Sequence, residues 1–204
     1  MKRSIEEHAS RFDECAPEYD GSHSEEYEAA ASLVIDHAAP EAGETVLDLG
    51  TGTGAIALAL ADGAERVIGR DISEGMLEQA RAKAEERGIG NVSFDEGRFR
   101  EPDVAESVDV VTSNFAMHHL DDAGKREAIE VIADLGPRRF VLGDVMLFGE
   151  ADPSEPFYSP EVDDPATVGA LADALTDAGF VLSGVERVHD QVGVLVADRS
   201  PGAE

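Results

Sequence analysis

The chain of 204 residues suits a single domain, alone or with a short appendage, and excludes two complete enzymes. Its 42% hydrophobic residues are enough for a packed core, which excludes global disorder. The 44 Asp and Glu residues against 16 Lys and Arg give a formal net charge of −28, which disfavours nucleic acid and anionic membranes as partners.

The N-terminal part predicts two helices. Residues 1–23 are polar and predict a short helix followed by a loop, which we interpret as an appendage. In residues 24–39, apolar side chains recur at helical spacing behind Ser24, a suitable N-cap, and Pro40 ends the pattern. A single domain is therefore expected over 24–204.

The middle of the chain alternates predicted strands with predicted helices. Short runs rich in Val, Ile and Leu indicate buried strands, and the longer segments between them indicate helices. This alternation predicts an α/β fold with a parallel sheet covered by helices on both faces. The strands are expected at 45–49, 66–71, 91–96, 108–112 and 139–145, and the helices at 55–61, 73–87 and 122–135.

The C-terminal part begins with a long loop, residues 148–163, which contains three prolines. Loops of this length usually have a function or move. A helix is expected at 165–178, and strands at 180–188 and 192–197 form a closing hairpin.

A glycine-rich turn follows the first predicted strand. Gly50, Gly52 and Gly54 alternate between this strand and the next helix, where glycines let the backbone turn sharply and approach a ligand closely. Asp48 lies on the strand just before the turn. Asp71 follows Gly50 by 21 residues, at the end of the second strand, where a carboxylate can accept hydrogen bonds from both ribose hydroxyls. Together these features predict a nucleotide-type site.

The charge of Asp48 bears on which nucleotide binds. The segment Gly50-x-Gly52-x-x-Ala55 also fits the dinucleotide pattern of nicotinamide and flavin enzymes. Asp48 would repel a pyrophosphate in a partly desolvated site, but it would attract the ammonium and sulfonium groups of S-adenosylmethionine. The alternative without a ligand is a tight turn in which the carboxylates only cap helices.

Three segments resemble the class I S-adenosylmethionine-dependent methyltransferases: residues 46–54, 69–73 and 108–120. The resemblance extends over about 12–198. It implies a Rossmann-like, doubly wound sheet of seven strands, mostly parallel with an antiparallel last strand, and helices on both faces. The predicted hairpin after residue 180 can supply that last strand.

The resemblance also implies roles for individual positions. It places Asp48, Gly50, Gly52 and Gly54 near the methionine moiety, Asp71 at the ribose, Gly97, Arg98 and Phe99 at the adenine, and Ser113 and Asn114 near the ammonium group. Ile72 is a further cofactor-binding residue, and Tyr19 belongs to an N-terminal lid, residues 1–23, that closes over the cofactor. A mobile polar tail is the alternative to the lid.

One departure from the family pattern concerns the adenine. Many relatives have Gly-Asp after the third strand, and that Asp accepts a hydrogen bond from the adenine amine. Here Arg98 follows Gly97, and an arginine cannot accept. Either Phe99 packing and a backbone group hold the adenine, or Arg98 simply points to solvent.

The end of the fourth strand separates subclasses of the family. Methyltransferases that act on exocyclic amines of bases usually have Asn or Asp followed by Pro-Pro and an aromatic residue. Residues 114–117 are Asn-Phe-Ala-Met, without that proline pair. With the negative charge, this favours a small-molecule acceptor over nucleic acid.

His118 and His119 are the candidate general bases, because histidine titrates near neutral pH. Methyl transfer needs a base only if the acceptor starts protonated, and a structural role for both histidines is the alternative. His119 is the preferred candidate. Phe157 and Tyr158, in the long loop, either line the acceptor pocket or anchor the loop. The sequence shows no cluster of residues that suggests a metal.

Two further expectations concern the setting of the protein. The absence of a secretion signal or membrane helix predicts a cytoplasmic protein. Acidic residues spread through every segment, with only three lysines, suggest adaptation to molar salt, although an ordinary acidic cytosolic protein is the alternative. The rival functions are a nicotinamide-dependent oxidoreductase and a non-catalytic S-adenosylmethionine-binding protein.

Overall fold

The computed structural model describes residues 4–149 and 156–199 of the chain. The helices are α1 (Ile5–Cys15), α2 (Glu25–Ala38), α3 (Ala55–Leu60), α4 (Glu74–Arg87), α5 (Asp122–Asp134) and α6 (Val168–Asp177), with 3-10 turns at Ala16–Ser22 and Met117–His119. The strands are β1 (Thr45–Leu49), β2 (Arg66–Asp71), β3 (Val92–Glu96), β4 (Val110–Asn114), β5 (Arg139–Leu147), β6 (Ala166–Thr167), β7 (Phe180–His189) and β8 (Val192–Arg199).

Seven of these strands form one sheet in the order β3-β2-β1-β4-β5-β8-β7, and the short β6 pairs with β5. The pairings from β3 through β5 are parallel, whereas β8 runs antiparallel to both β5 and β7. The predicted α/β sheet with an antiparallel last strand is thus confirmed. The strand order reverses between β1 and β4, which opens a crevice at the carboxyl ends of these strands.

Two elements begin two or three residues later than predicted. The fourth strand begins at Val110 instead of residue 108, because Asp109 uses its carboxylate to accept a hydrogen bond from Thr45 N at 2.8 Å before pairing with β5 begins. Helix α6 begins at Val168 instead of residue 165, because the two preceding residues pair with β5 and Thr167 caps the helix by accepting from Ala170 N.

Two apolar layers hold the helices against the sheet. Helices α2, α3 and α4 pack on one face, around Val34, Leu77 and Phe94, and helices α5 and α6 pack on the other, around Ile129 and Leu175. All five side chains are buried. Burial of such side chains contributes about 1.5–3 kcal/mol each to folding, so these layers fix the carboxyl ends of the strands in place.

The N-terminal segment lies across the carboxyl edge of the sheet and is more than an appendage. Asp13 Oδ1, in α1, accepts hydrogen bonds from Ser73 Oγ at 2.6 Å and Gly75 N at 2.9 Å, at the start of α4. Asp20 accepts from Thr53 Oγ1 at 2.6 Å and forms an ion pair with Lys83. The segment is therefore tied to the glycine turn and to α4. No helix among the described residues is long and apolar enough to cross a membrane.

Candidate active site

A cavity of about 270 Å³ lies at the carboxyl ends of β1, β2 and β4, beneath α1. Ten of the thirteen predicted site residues line it: Tyr19, Gly50, Gly52, Asp71, Ile72, Gly97, Arg98, Phe99, Asn114 and His119. Asp48, Gly54 and Ser113 do not line the cavity. Gly54 is instead the N-cap of α3, and a Cβ added to it would lie 3.0 Å from the Cβ of Ala80. Ser113 is fully buried within the sheet.

The glycine turn is held by the end of β2. The Gly50 and Thr51 amides both donate to the carbonyl oxygen of Arg70, at 2.8 and 3.0 Å. Gly50 has a φ of +67°, and a Cβ on it would lie 2.3 Å from the Cβ of Ala116. Residue 50 therefore has to be glycine, because its backbone has a positive φ and because the segment after β4 approaches it closely.

Asp71 joins the turn to α4 and borders the cavity. Its Oδ2 accepts from Gly52 N at 2.8 Å, and its Oδ1 accepts from Ser73 N at 3.0 Å. Burial raises the pKa of Asp71, although these backbone donors act in the opposite direction. An ionised carboxylate has about four acceptor sites, so Asp71 keeps acceptor capacity for the hydroxyl groups of a ligand.

Asp48 lies beneath the turn instead of in the cavity wall. Its carboxylate accepts from Thr51 Oγ1 at 2.6 Å and from Thr112 Oγ1 at 2.8 Å, and its side chain is buried. Burial raises the pKa of Asp48 to about 6, and the nearby Asp71 adds to this rise. Because both oxygens are occupied by hydroxyl groups, any effect of Asp48 on a cationic ligand is through its charge and through the turn it braces.

We expect Asp48→Asn to stabilise the protein without cofactor at pH 8. The pKa of Asp48 rises on folding, so its ionisation opposes folding above about pH 6 and has no effect below about pH 4, where both states are protonated. A rise of about two units in pKa corresponds to at most about 3 kcal/mol of folding free energy. In the variant, the threonine hydroxyl that faces the new amide nitrogen can rotate to accept from it. Urea unfolding at pH 4 and pH 8 tests this, and an equal effect at the two pH values would contradict it.

The corner after β3 forms the far end of the cavity. Gly97 N donates to the backbone oxygen of Asp71 at 3.0 Å, and Arg98 pairs its backbone with Glu101 in a tight turn. Arg98 and Phe99 are both half-buried and both line the cavity. Arg98 therefore contributes to the cavity wall, and Phe99 offers an apolar ring there.

The segment after β4 forms the opposite end. Asn114 is buried at the cavity, next to the Tyr27 hydroxyl, and Phe115 has a φ of +53° that is unusual for a bulky residue. A strained backbone is often kept where it positions a functional group. Here it leads directly into the turn that carries His118 and His119.

Both histidines contact carboxylates that lie far from them in the sequence. His118 Nδ1 lies 2.5 Å from Asp144 Oδ1, and His119 Nδ1 lies 2.8 Å from Asp163 Oδ1. Burial lowers the pKa of His118, but Asp144 outweighs it, and the pKa is raised above its ordinary value. Burial lowers the pKa of His119 despite Asp163, so His119 is neutral at pH 7. Neither carboxylate partner was predicted from the sequence.

Several residues at the site were missed from the sequence. Ile5, His8 and Phe12 of α1 line the cavity, as does Tyr27 of α2. The spacing of the three α1 residues puts them on one face of a helix, and this amphipathic pattern could have revealed the wall. Burial raises the pKa of Tyr19 to about 12, which agrees with the buried position of its side chain next to α1.

The described part of the long loop packs against the core. Phe157 packs against Phe115 and His189, with ring centres 6.3 and 5.5 Å apart, and its amide donates to Gln191 Oε1 at 3.0 Å. Neither Phe157 nor Tyr158 lines the cavity, so the anchoring alternative agrees with the structure. Residues 150–155 of this loop lie outside the described part.

The fold and the cavity define a class of protein: an α/β enzyme that binds a nucleoside-type cofactor where the strand order reverses. The methyltransferase-domain family model matches residues 46–135. The aklanonic acid methyltransferase DauC of Streptomyces sp. (strain C5) is 33% identical over 74% of this chain and 69% of its own length. The chain belongs to the class I S-adenosylmethionine-dependent methyltransferases.

Two further comparisons agree with this assignment. The uncharacterized methyltransferase YcgJ of Bacillus subtilis (strain 168) is 37% identical over 55% of this chain, which spans 45% of the length of YcgJ. The structure of magnesium protoporphyrin IX methyltransferase from Synechocystis PCC 6803 with bound SAH has a TM-score of 0.66 and 25% identity, covering 85% of this chain and 81% of that chain. S-adenosylmethionine is the cofactor of this family.

Proposed function

We propose that the protein transfers the methyl group of S-adenosylmethionine to a small-molecule acceptor. The observation that carries this is the cavity at the glycine turn, with Asp71 at its wall and the Asp48 carboxylate beneath the turn. The donor is already activated as a sulfonium, so the protein mainly has to align it with the acceptor and exclude water.

We infer the cofactor contacts from the placement of the predicted residues. Asp71 accepts from the ribose hydroxyls, Phe99 packs against the adenine, and Asn114 lies near the ammonium end of the methionine moiety. Tyr19 and α1 close over the bound cofactor as a lid. The cavity residues at both ends, and the hydrogen bonds of Asp13 to the start of α4 and of Asp20 to the glycine turn, support this arrangement.

A small organic acceptor fits the remaining features. The name of DauC identifies aklanonic acid as the substrate of that relative. The net charge of −28 opposes approach to a phosphate backbone. The same charge supports a protein adapted to molar salt, where the Debye length falls to about 3 Å and the mutual repulsion of the acids is screened.

Calorimetry of the purified protein in molar KCl tests the cofactor assignment. We expect S-adenosylmethionine and S-adenosylhomocysteine to bind and NADH to give no heat, because Asp48 disfavours a pyrophosphate. Transfer of label from methyl-labelled cofactor into the small-molecule fraction of a cell extract then separates an enzyme from a binding protein. Binding of NADH alone would overturn the proposal.

We expect His119→Ala to lower methyl transfer by about 10²- to 10⁴-fold if the acceptor starts protonated. Asp163 holds Nδ1 of His119, which leaves Nε2 as the nitrogen available to take a proton on the cavity side. The affinity for the cofactor should stay within about threefold of the wild-type value, because neither His119 nor Asp163 is placed at the cofactor. Initial rates and calorimetry on the same samples measure the two effects.

His37→Ala is the matched control for His119→Ala. His37 is in α2, where its Nε2 faces Glu186 at 3.6 Å, away from the cavity lining. The control should transfer methyl groups at the wild-type rate. Unchanged transfer by His119→Ala would show that this histidine is not the base.

A further inference from the structure

We propose that His118, His119 and Asp163 form a binding site for a divalent transition-metal ion of the zinc type. One ligand atom from each residue lies within 4.8 Å of the others. His118 Nε2 lies 3.9 Å and His119 Nδ1 lies 2.8 Å from the same oxygen, Asp163 Oδ1. Two imidazole nitrogens and one carboxylate oxygen are ligands that zinc and its neighbours accept.

The spacing of these atoms suits a metal ion. Zinc bonds to nitrogen and oxygen are about 2.0–2.2 Å long, so ligand atoms around a tetrahedral ion lie about 3.3 Å apart. The two distances to Asp163 lie on either side of that value. Shifts of about half an ångström would bring both distances to that value, and the two histidine nitrogens lie within 4.8 Å of each other. The fourth position of a tetrahedral ion would be open for water or another oxygen.

The surroundings of His118 supply the outer support that metal sites use. Metal-bound histidines usually donate their other ring N–H to a carboxylate or carbonyl, which fixes the ring and its tautomer. His118 Nδ1 lies 2.5 Å from Asp144 Oδ1, so Nε2 is the nitrogen directed to the cluster. Asp144 is itself buried, and its Oδ2 accepts from the backbone amide of His118 at 2.9 Å.

The location also provides charge balance and access. Asp163 and Asp144 bring two carboxylates to a buried place, and a divalent cation would offset them. His119 borders the cavity, whereas His118 and Asp163 lie behind it, so an ion can enter from the cavity side. Asp163 is positioned by Ser159 N, which donates to its Oδ2 at 2.8 Å and leaves Oδ1 to the cluster.

Metal binding and the base role of His119 exclude each other. A metal on Nδ1 takes the place of the proton shared with Asp163, so the single ring proton of neutral His119 moves to Nε2, which can then no longer accept a proton. A metal-loaded protein would then transfer methyl groups more slowly to an acceptor that needs a base. The metal site itself does not depend on methyl transfer, and its test uses neither cofactor nor acceptor.

The test is metal titration of tag-free protein, first treated with a chelator and dialysed into molar KCl. Calorimetry with ZnCl₂ and visible absorption with CoCl₂ should each show one equivalent bound. Asp163→Asn and His119→Ala should weaken binding at least about 100-fold, and Asp144→Asn about 10- to 100-fold. His37→Ala should bind as the wild type does.

The variants distinguish loss of the metal site from loss of folding and from binding to the acidic surface. Asp163→Asn is isosteric and retains an acceptor for Ser159, and circular dichroism confirms that each variant is folded. Wild-type protein without a saturable single equivalent would overturn the inference. Equal binding by wild type, Asp163→Asn and His119→Ala would also overturn it, because the ions would then be held by the acidic surface.

Discussion

Gly50→Ala is expected to lower the stability of the protein by about 3 kcal/mol, whereas Gly52→Ala should cost only about 1 kcal/mol. Both glycines have positive φ, at +67° and +54°, so alanine is strained at either position. Only at Gly50 would the new Cβ also collide, lying 2.3 Å from Ala116 Cβ. At Gly52 nothing lies within 4 Å.

Thermal unfolding without cofactor measures this difference. For a chain of this size, 1 kcal/mol corresponds to about 2–4 °C in Tm, so the two variants should differ by several degrees. Gly52→Ala is the matched control, because it has the same kind of backbone strain in the same turn. Equal Tm values for Gly50→Ala and Gly52→Ala would show that the segment at Ala116 moves aside without a loss of stability.

Asp71→Ala should weaken S-adenosylmethionine binding by at least about 100-fold. In our proposal the carboxylate accepts two charge-assisted hydrogen bonds from the ribose, each worth about 1.5–3 kcal/mol. The same change leaves Gly52 N and Ser73 N without the acceptor that shapes the turn. Asp71→Asn keeps one carbonyl acceptor and should lose less affinity.

Calorimetric titration with S-adenosylmethionine and S-adenosylhomocysteine measures this loss. Glu96→Gln is the control, because Glu96 pairs with Asp71 across β2 and β3 but is exposed and does not line the cavity. It removes one negative charge from the neighbouring strand and should bind as the wild type does. Binding by folded Asp71→Ala within about threefold of the wild type would contradict the ribose assignment.

The part of the site that the sequence predicted depends on local spacing along single strands. Gly50 and Asp71 end neighbouring parallel strands, so alternation of elements alone brings them to one edge of the sheet. The hydrogen bond from Gly52 N to Asp71 shows how closely they meet. Asp48 was predicted on the strand just before this turn, near the methionine moiety, but the sequence did not show that two threonine hydroxyls would cover its carboxylate.

The carboxylate partners of the two histidines could not be predicted in the same way. Asp144 is 26 residues from His118, and Asp163 is 44 residues from His119. These contacts depend on the packing of β5 and of the segment before β6 against the turn after β4. A chain with 44 acidic residues offers many carboxylates, and charge pattern alone does not select two of them.

The position of α1 has a practical consequence for anyone handling the protein. Because Ile5, the first residue of α1, borders the cavity, a displacement of this helix would open the cavity wall. Strand β8 is antiparallel and ends at Arg199, beside the start of β5, on the edge of the sheet opposite the cavity. A fragment trimmed to residues 46–135 would lose the α1 wall and the β5–β8 pairing together, so the segment that the family model matches would not carry a complete cavity.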